Sequence, residues 1–324
     1  MKFRFTFAFI AIAGLLGALS CSREVVPTVD ERETVEVSLE VLSPDALTKA
    51  EIGDGSKATE LYYTAFVDGR SIPSFQRKAV LENGRTTLKL TLIKNVVYDF
   101  IFWAQAPVAA GQTAPYDLSE FYTEGLVKAD YSVAANDDSR DAFFAIKPID
   151  TNYPVNDPVE LYRPFAQVNF AAADYDELKY VGLHQGLQSK ALIKGLPDVL
   201  DCRTGEVSSS GNALVDASFT YALTPSARGG EDEYVTVSGL TCGYVGMNYV
   251  FSDDDGENVT VTGDFLWTNP DATKPSSSWT TSQVPNVPVK RNHKTFILGN
   301  FFIENNILDI VIIPGFEDDE IVTM

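Results

Sequence analysis

The sequence predicts an all-β protein made of two consecutive β-sandwich domains, residues 34–159 and 160–324, behind a removable N-terminal segment. Three observations predict it. Apolar residues recur at every second position through most of the chain, which is the spacing of half-buried strands and not of helices. Gly, Pro, Asn and Asp separate these runs at the short intervals found in sandwiches and barrels. The chain has 324 residues, more than one hydrophobic core ordinarily serves, so two domains of common size are expected.

The elements follow in chain order. Lys2 and Arg4 precede the apolar run Phe5 to Leu16, and small residues stand at Gly17, Ala18 and Ser20 before Cys21. This is the pattern of a secretory signal over residues 1–20. A cysteine at that place is similar to a bacterial lipobox, which implies that the Cys21 thiol carries a diacylglycerol and becomes the new N-terminus. Each buried CH₂ of an acyl chain contributes about 0.8 kcal/mol, so two or three chains hold a protein firmly on a membrane. Residues 21–33 read as a polar tether. No later stretch approaches the ~18 consecutive apolar residues of a spanning helix.

Val35, Val37, Leu39 and Val41 alternate with Glu36, Ser38 and Glu40 and give a first amphipathic strand. The polar segment after it carries Lys49, a basic residue in an exposed loop and therefore a natural nicking site. Leu88, Leu90 and Leu92 form a second alternating run, preceded by Asn83-Gly84, which reads as a tight hairpin turn. Val97 to Trp103 is almost continuously aromatic and β-branched, suited to a central strand covered on both faces. Further strands are read at 143–146, 166–170, 234–237, 246–251, 259–267, 295–303 and 307–313, and short helical turns at 118–123 and 176–183. Pro148 to Pro158 is proline-punctuated and polar, reads as the boundary between domains, and cannot serve as an interior strand. Asn269 to Ser282 reads as a long exposed hairpin loop.

Composition excludes some functions. The formal net charge is −20, or −22 without Lys2 and Arg4, and such a balance repels phosphate backbones, so nucleic acid is not an expected partner. Cys202 and Cys242 are an even pair that allows one disulfide closing about 40 residues; two separately buried thiols are the plainer alternative. His184 and His293 are far apart in sequence and read as a surface and a strand residue. The chain has no G-x-S-x-G elbow, no H-E-x-x-H and no phosphate-binding glycine loop. No enzymatic activity, metal or cofactor is expected. Asp253-Asp254-Asp255-Gly256-Glu257 lacks the twelve-position ligand spacing of a Ca²⁺ loop and reads as a hairpin turn. Trp103 lies in a buried run, whereas Trp267 and Trp279 flank the long loop and are candidate glycan contacts.

The second half opens Leu161-Tyr162-Arg163-Pro164-Phe165-Ala166-Gln167-Val168-Asn169-Phe170 and later carries Val287-Pro288-Val289-Lys290-Arg291-Asn292-His293-Lys294-Thr295-Phe296-Ile297-Leu298-Gly299, followed by Val311 to Phe316. In order and spacing this resembles the fimbrillin-like lipoproteins of Bacteroides and its relatives, most closely over residues 160–316. The resemblance implies two sandwich domains of transthyretin-like or immunoglobulin-like topology, and a lipid-anchored fimbrial subunit or surface adhesin on the outer membrane. It also implies a mode of assembly. A protease cuts after a basic residue beyond the first strand, that strand leaves, and the groove accepts a strand from another fimbrial subunit, self or related, by β-strand addition. Lys49 stands where shaft subunits offer Arg, which points away from an Arg-specific protease. Val35 to Leu42 is then the displaced strand, and Ile307 to Ile313 is either the donor or a central strand of its own domain. The other reading is a monomeric surface lipoprotein that binds host or bacterial glycans through Trp267 and Trp279 without polymerising.

Overall fold

The alternating runs fold as strands, and the reason each face is apolar lies in what covers it. The computed structural model describes residues 33–43, 55–132, 136–183, 187–223, 233–267, 271, 273, 280–303 and 306–314. The first half contains β1 (Thr34–Leu42), β2 (Glu60–Val67), β3 (Arg70–Ser71), β4 (Arg77–Val80), β5 (Arg85–Ile93), β6 (Val97–Gln105), β7 (Tyr116–Asp117), α1 (Phe121–Glu124), β8 (Leu126–Ala129), β9 (Phe143–Asp150) and β10 (Val159–Glu160). One sheet runs β10-β1-β5, the other β3-β2-β6-β9 with β4 also on β2. Between them lies an apolar cluster that includes Leu39, Val41, Leu61, Leu90, Phe100, Phe102 and Phe143.

The second half contains β11 (Phe165–Ala172), α2 (Tyr175–Tyr180), β12 (Leu187–Leu196), β13 (Val199–Asp201), β14 (Val207–Ser208), β15 (Val215–Leu223), β16 (Tyr234–Val237), β17 (Leu240–Phe251), β18 (Glu257–Leu266), β19 (Thr280–Val289), β20 (His293–Asn300) and β21 (Asn306–Pro314). Sheet β16-β17-β11-β20-β21 faces sheet β15-β12-β18-β19 across a cluster that includes Phe170, Ile193, Phe219, Val261, Phe265 and Ile297. Within the first of these, β11 and β20 run parallel. Two glycines of β17 admit aromatic rings from outside the sheet: a Cβ at Gly243 would lie 2.3 Å from Tyr175, and one at Gly246 2.4 Å from Tyr221.

The two halves are stitched together. Strands β7 and β8 of the first half and β13 and β14 of the second form one small sheet, β14-β13-β8-β7. A third apolar cluster takes Ile101, Trp103, Tyr116 and Phe144 from the first half and Phe165, Tyr244, Tyr249, Phe251 and Phe296 from the second. This explains two continuous apolar runs. Strand β6 turns Phe100 and Phe102 toward one cluster and Ile101 and Trp103 toward another. Strand β11 is buried at all eight positions.

Several local expectations change. Asn83 and Gly84 adopt φ of 53° and 73° in a two-residue turn closed by Glu82 and Arg85. Its flanking strands part, however, since β4 joins β2 and β5 joins β1. Asp253 to Gly256 is likewise a turn but not a hairpin, because β17 and β18 belong to opposite sheets. Pro148 falls inside β9, and β9 is an edge strand where a missing N–H costs no ladder bond. Strand β20 stops at Asn300 because the Asp174 carboxylate accepts the N–H groups of Phe301, Phe302 and Ile303 at 2.7–3.1 Å. Strands β2, β12, β15 and β19 carry no counterpart among the runs read from sequence, and β19 begins at Thr280, so the last three residues of the stretch read as an exposed loop, 269–282, are paired with β18. Residues 307–313 lie in β21, within their own half but at the edge of the sheet and not at its centre.

Candidate functional site

The candidate site is β1 and the surface it covers. Alternation turns Val37, Leu39 and Val41 inward, where they are 9%, 1% and 0% exposed, with Val35 half-buried beside them. Glu36, Ser38 and Glu40 face water. The neighbouring strand repeats the pattern: Leu88, Leu90 and Leu92 point inward, and Thr87, Lys89 and Thr91 point out. Burying a Val or Leu side chain contributes about 1.5–3 kcal/mol, so the three inward residues together approach the 5–15 kcal/mol stability of a whole domain. The surface under β1 is therefore unstable when bare.

Main-chain pairing is asymmetric. β1 runs antiparallel to β5 along its whole length, from Thr34 opposite Ile93 to Leu42 opposite Arg85, and Thr91 Oγ1 donates to Glu36 Oε1 across the outer face at 2.7 Å. On the other edge only Val41 and Leu42 are paired, in parallel, with Val159 and Glu160, and Leu42 O accepts the Leu161 N–H at 2.8 Å. Along 34–40 no strand among the described residues pairs with that edge. The loop Asn156 to Pro158 stands over the outer face there and leaves an open polar hollow of about 340 Å³ with Ser38, Glu40 and Thr87. A backbone cut between β1 and β2 would leave β1 joined to the rest of the fold by these noncovalent contacts alone.

The motif residues of the second half form the scaffold beyond this groove. Tyr162 exchanges both main-chain hydrogen bonds with Phe144 at 2.9 Å. Arg163, buried, donates from Nε and Nη2 to the Asp141 carboxylate at 2.8–3.0 Å and lies 4.8 Å from the Phe143 ring centre. Arg291, also buried, donates to the carbonyls of Ser252 and Gly205 and stacks over Phe144. Asn169 accepts from the Tyr244 hydroxyl and donates to the carbonyls of Gln167 and Thr295. These side chains satisfy one another or buried carbonyls at the join between halves.

The chain belongs to the DUF6562 family. The model of this family, described as one of unknown function, matches residues 28–324. No curated protein matches the chain. Among solved structures the fold is similar to the tip fimbrial protein Mfa3 of Porphyromonas gingivalis with a C-terminal truncation (TM-score 0.47, 10% identity, 87% of this chain and 100% of that one). It is also similar to a fimbrial protein of Bacteroides vulgatus (TM-score 0.43, 11% identity, 85% and 98%). A third is a fimbrial assembly protein of Parabacteroides distasonis (TM-score 0.43, 14% identity, 86% and 95%).

The remaining residues singled out from sequence fall in different places. Cys21, Lys49, His184 and Trp279 lie outside the described residues. Trp267 is half-buried at the end of β18 and packs on the core of the second half. Cys202 and Cys242 are free thiols, both buried in the cluster between halves; burial pushes each thiol pKa up. Trp103 is fully buried, with Nε1 donating to Gln105 Oε1 at 2.8 Å. His293 begins β20 and its Nδ1 lies 2.7 Å from the Arg291 carbonyl oxygen. In the acidic turn the Gly256 N–H donates to Asp253 Oδ1 at 2.7 Å, and burial, then the nearby Asp253, raises the Glu257 pKa. Two features were not legible in the sequence: the β10 clasp on Val41 and Leu42 at the groove, and Asp141 as the partner of Arg163 in the scaffold beyond it.

Proposed function

We propose that this chain is a subunit of surface fimbriae, or a fimbrillin-like adhesin, that is anchored through lipid on Cys21 and made ready for assembly when cleavage after Lys49 frees β1. The observation that carries the reading is β1 itself. It is the first strand among the described residues, one-sided, fully laddered along one edge and clasped by two residues on the other, and it covers apolar surface that needs a replacement. The order and spacing of the Arg163 to Phe170 and Val287 to Gly299 motifs support the same family of mechanisms. Release of β1 leaves a slot in which an incoming strand regains the main-chain bonds to β5 and the burial that β1 gave up.

The test is substitution of the processing residue in cells that make the protein. Lys49→Ala is expected to leave a folded, lipid-bearing monomer at the surface and to abolish its incorporation into high-mass assemblies, read by immunoblot of surface material. Undiminished assembly of Lys49→Ala counts against processing at this residue.

A further inference from the structure

We infer that the open side of the first half, where the edge strands β4 and β5 meet, is a contact surface for the acidic second half of another copy of this chain. The inference goes beyond the proposed function and depends on neither the lipid at Cys21 nor the cut after Lys49.

Charge is unevenly placed along the chain. Residues 57–94 carry seven Lys and Arg against three Asp and Glu, in a protein whose formal net charge is −20. Residues 165–324 carry nine against twenty-two. The fold gathers part of the basic stretch on one side. β3 and β4 both pair with β2 along the edge away from β6, and β5 is the end strand of the facing sheet. The turn at Asn83 and Gly84 joins β4 to β5, so the two edges share one side of the sandwich. Arg70, Arg77 and Arg85 are exposed there, and among the described residues no carboxylate pairs with any of the three. Lys78 beside them is held by Glu60. Val80 on β4, 59% exposed, adds an apolar group to the same edge.

The sign of this edge points to its occupant. A basic edge repels the same edge of another copy, as charged edge strands commonly do, and the second half of every copy offers the opposite sign. Salt decides which force acts. At about 0.01 M the screening length is about 30 Å, and two chains of like net charge repel as wholes. At about 0.15 M it is about 8 Å, so charges that face one another across a contact outweigh the distant remainder. Exposed ion pairs contribute little singly, which makes the contact weak between free copies. Between copies already linked by another contact it acts at an effective concentration of about mM. Edge against second half is a heterologous contact, the kind that repeats along a filament.

The experiment uses residues 21–324 without lipid, with Cys21→Ser so that no thiol links two copies. Static light scattering reads the second virial coefficient at about 0.01, 0.15 and 1 M salt. Three chains are compared: this parent, the edge variant Arg70→Glu/Arg77→Glu/Arg85→Glu, and a variant of equal net charge, Lys190→Glu/Lys194→Glu/Lys290→Glu, changed at exposed residues of the second half. The parent and the second-half variant are expected to pass from repulsion at the lowest salt to attraction at the middle one, and the edge variant to stay repulsive. A parent that is repulsive at every salt overturns the inference, and so does equal behaviour of the two variants. Stronger attraction in the edge variant makes these arginines guards against edge pairing and overturns it as well. A parent that does not self-associate but is retained on a sulfated polysaccharide column, which the edge variant passes, replaces the second copy with an acidic glycan as occupant. Lys49 and β1 are intact in all three chains, so failure here leaves the proposed function standing.

Discussion

The pair formed by Asp141 and Arg163 offers the sharpest energetic test of how the halves are joined. Both side chains are 2% exposed, three contacts of 2.8–3.0 Å link them, and Arg163 follows the main-chain bridge between Tyr162 and Phe144. Removing one member of a buried pair strands the other charge in a low-dielectric interior and costs about 3–5 kcal/mol. Asp141→Ala and Arg163→Met should therefore each lose about that much against a typical domain stability of 5–15 kcal/mol. The double substitution removes both charges of the pair, and its cost should fall short of the sum of the two single changes. Guanidinium unfolding read through tryptophan fluorescence, with the slope held constant across variants, supplies the four free energies. Strictly additive losses, or a loss under about 1 kcal/mol for either single variant, would refute the view that this pair is a buried, coupled clamp.

Other outcomes follow from the same packing. Leu39→Ala should cost about 2–5 kcal/mol, and Ser38→Ala, one position along the same strand, less than about 0.5 kcal/mol; the same unfolding experiment compares them, and similar losses would contradict the one-sided description of β1. Gly246→Ala places a methyl 2.4 Å from the Tyr221 ring and should destabilise by about 1–3 kcal/mol, seen as a lower Tm, with Tyr221→Ala in the same chain partly relieving the clash. Glu257 has a raised pKa in the fold, first through burial and then through Asp253. Its ionisation thus weakens the folded state once the pH passes the ordinary value of 4.5. Glu257→Gln should be more stable than the parent at pH 7, and the difference should vanish below that value in unfolding curves taken across pH.

Much of the architecture is legible in the sequence wherever inward residues are large. β1, β5 and β6 announce themselves through Val, Leu and Phe. β12 and β15 do not, because Ser189, Ala191 and Ala217 occupy inward positions and blur the alternation; their small size makes room for the rings of Tyr221 and Phe219. Turn chemistry is readable at Asn83-Gly84 and Asp255-Gly256, yet which sheet each strand joins is not, since a tight turn and an arch between sheets share the same positive-φ residues. The motif residues Arg163, Gln167, Asn169 and Arg291 stand out by spacing. Their role needed long-range partners such as Asp141, Tyr244 and Gly205, which nothing local specifies. The groove divides the same way: the alternating pattern of β1 is visible at once, but its clasp by Val159 and Glu160 spans more than a hundred residues of sequence.

Under the proposed mode of assembly β1 leaves and another strand takes its place. The most direct measurement is mass spectrometry of the N-terminus of this protein recovered from surface assemblies, with intact-mass and peptide mapping over residues 21–60. A chain that begins at Ala50, with residues 34–42 absent from the assembly, is the predicted result. A lipid-bearing Cys21 still continuous with β1 throughout the assembled, surface-exposed pool would contradict it.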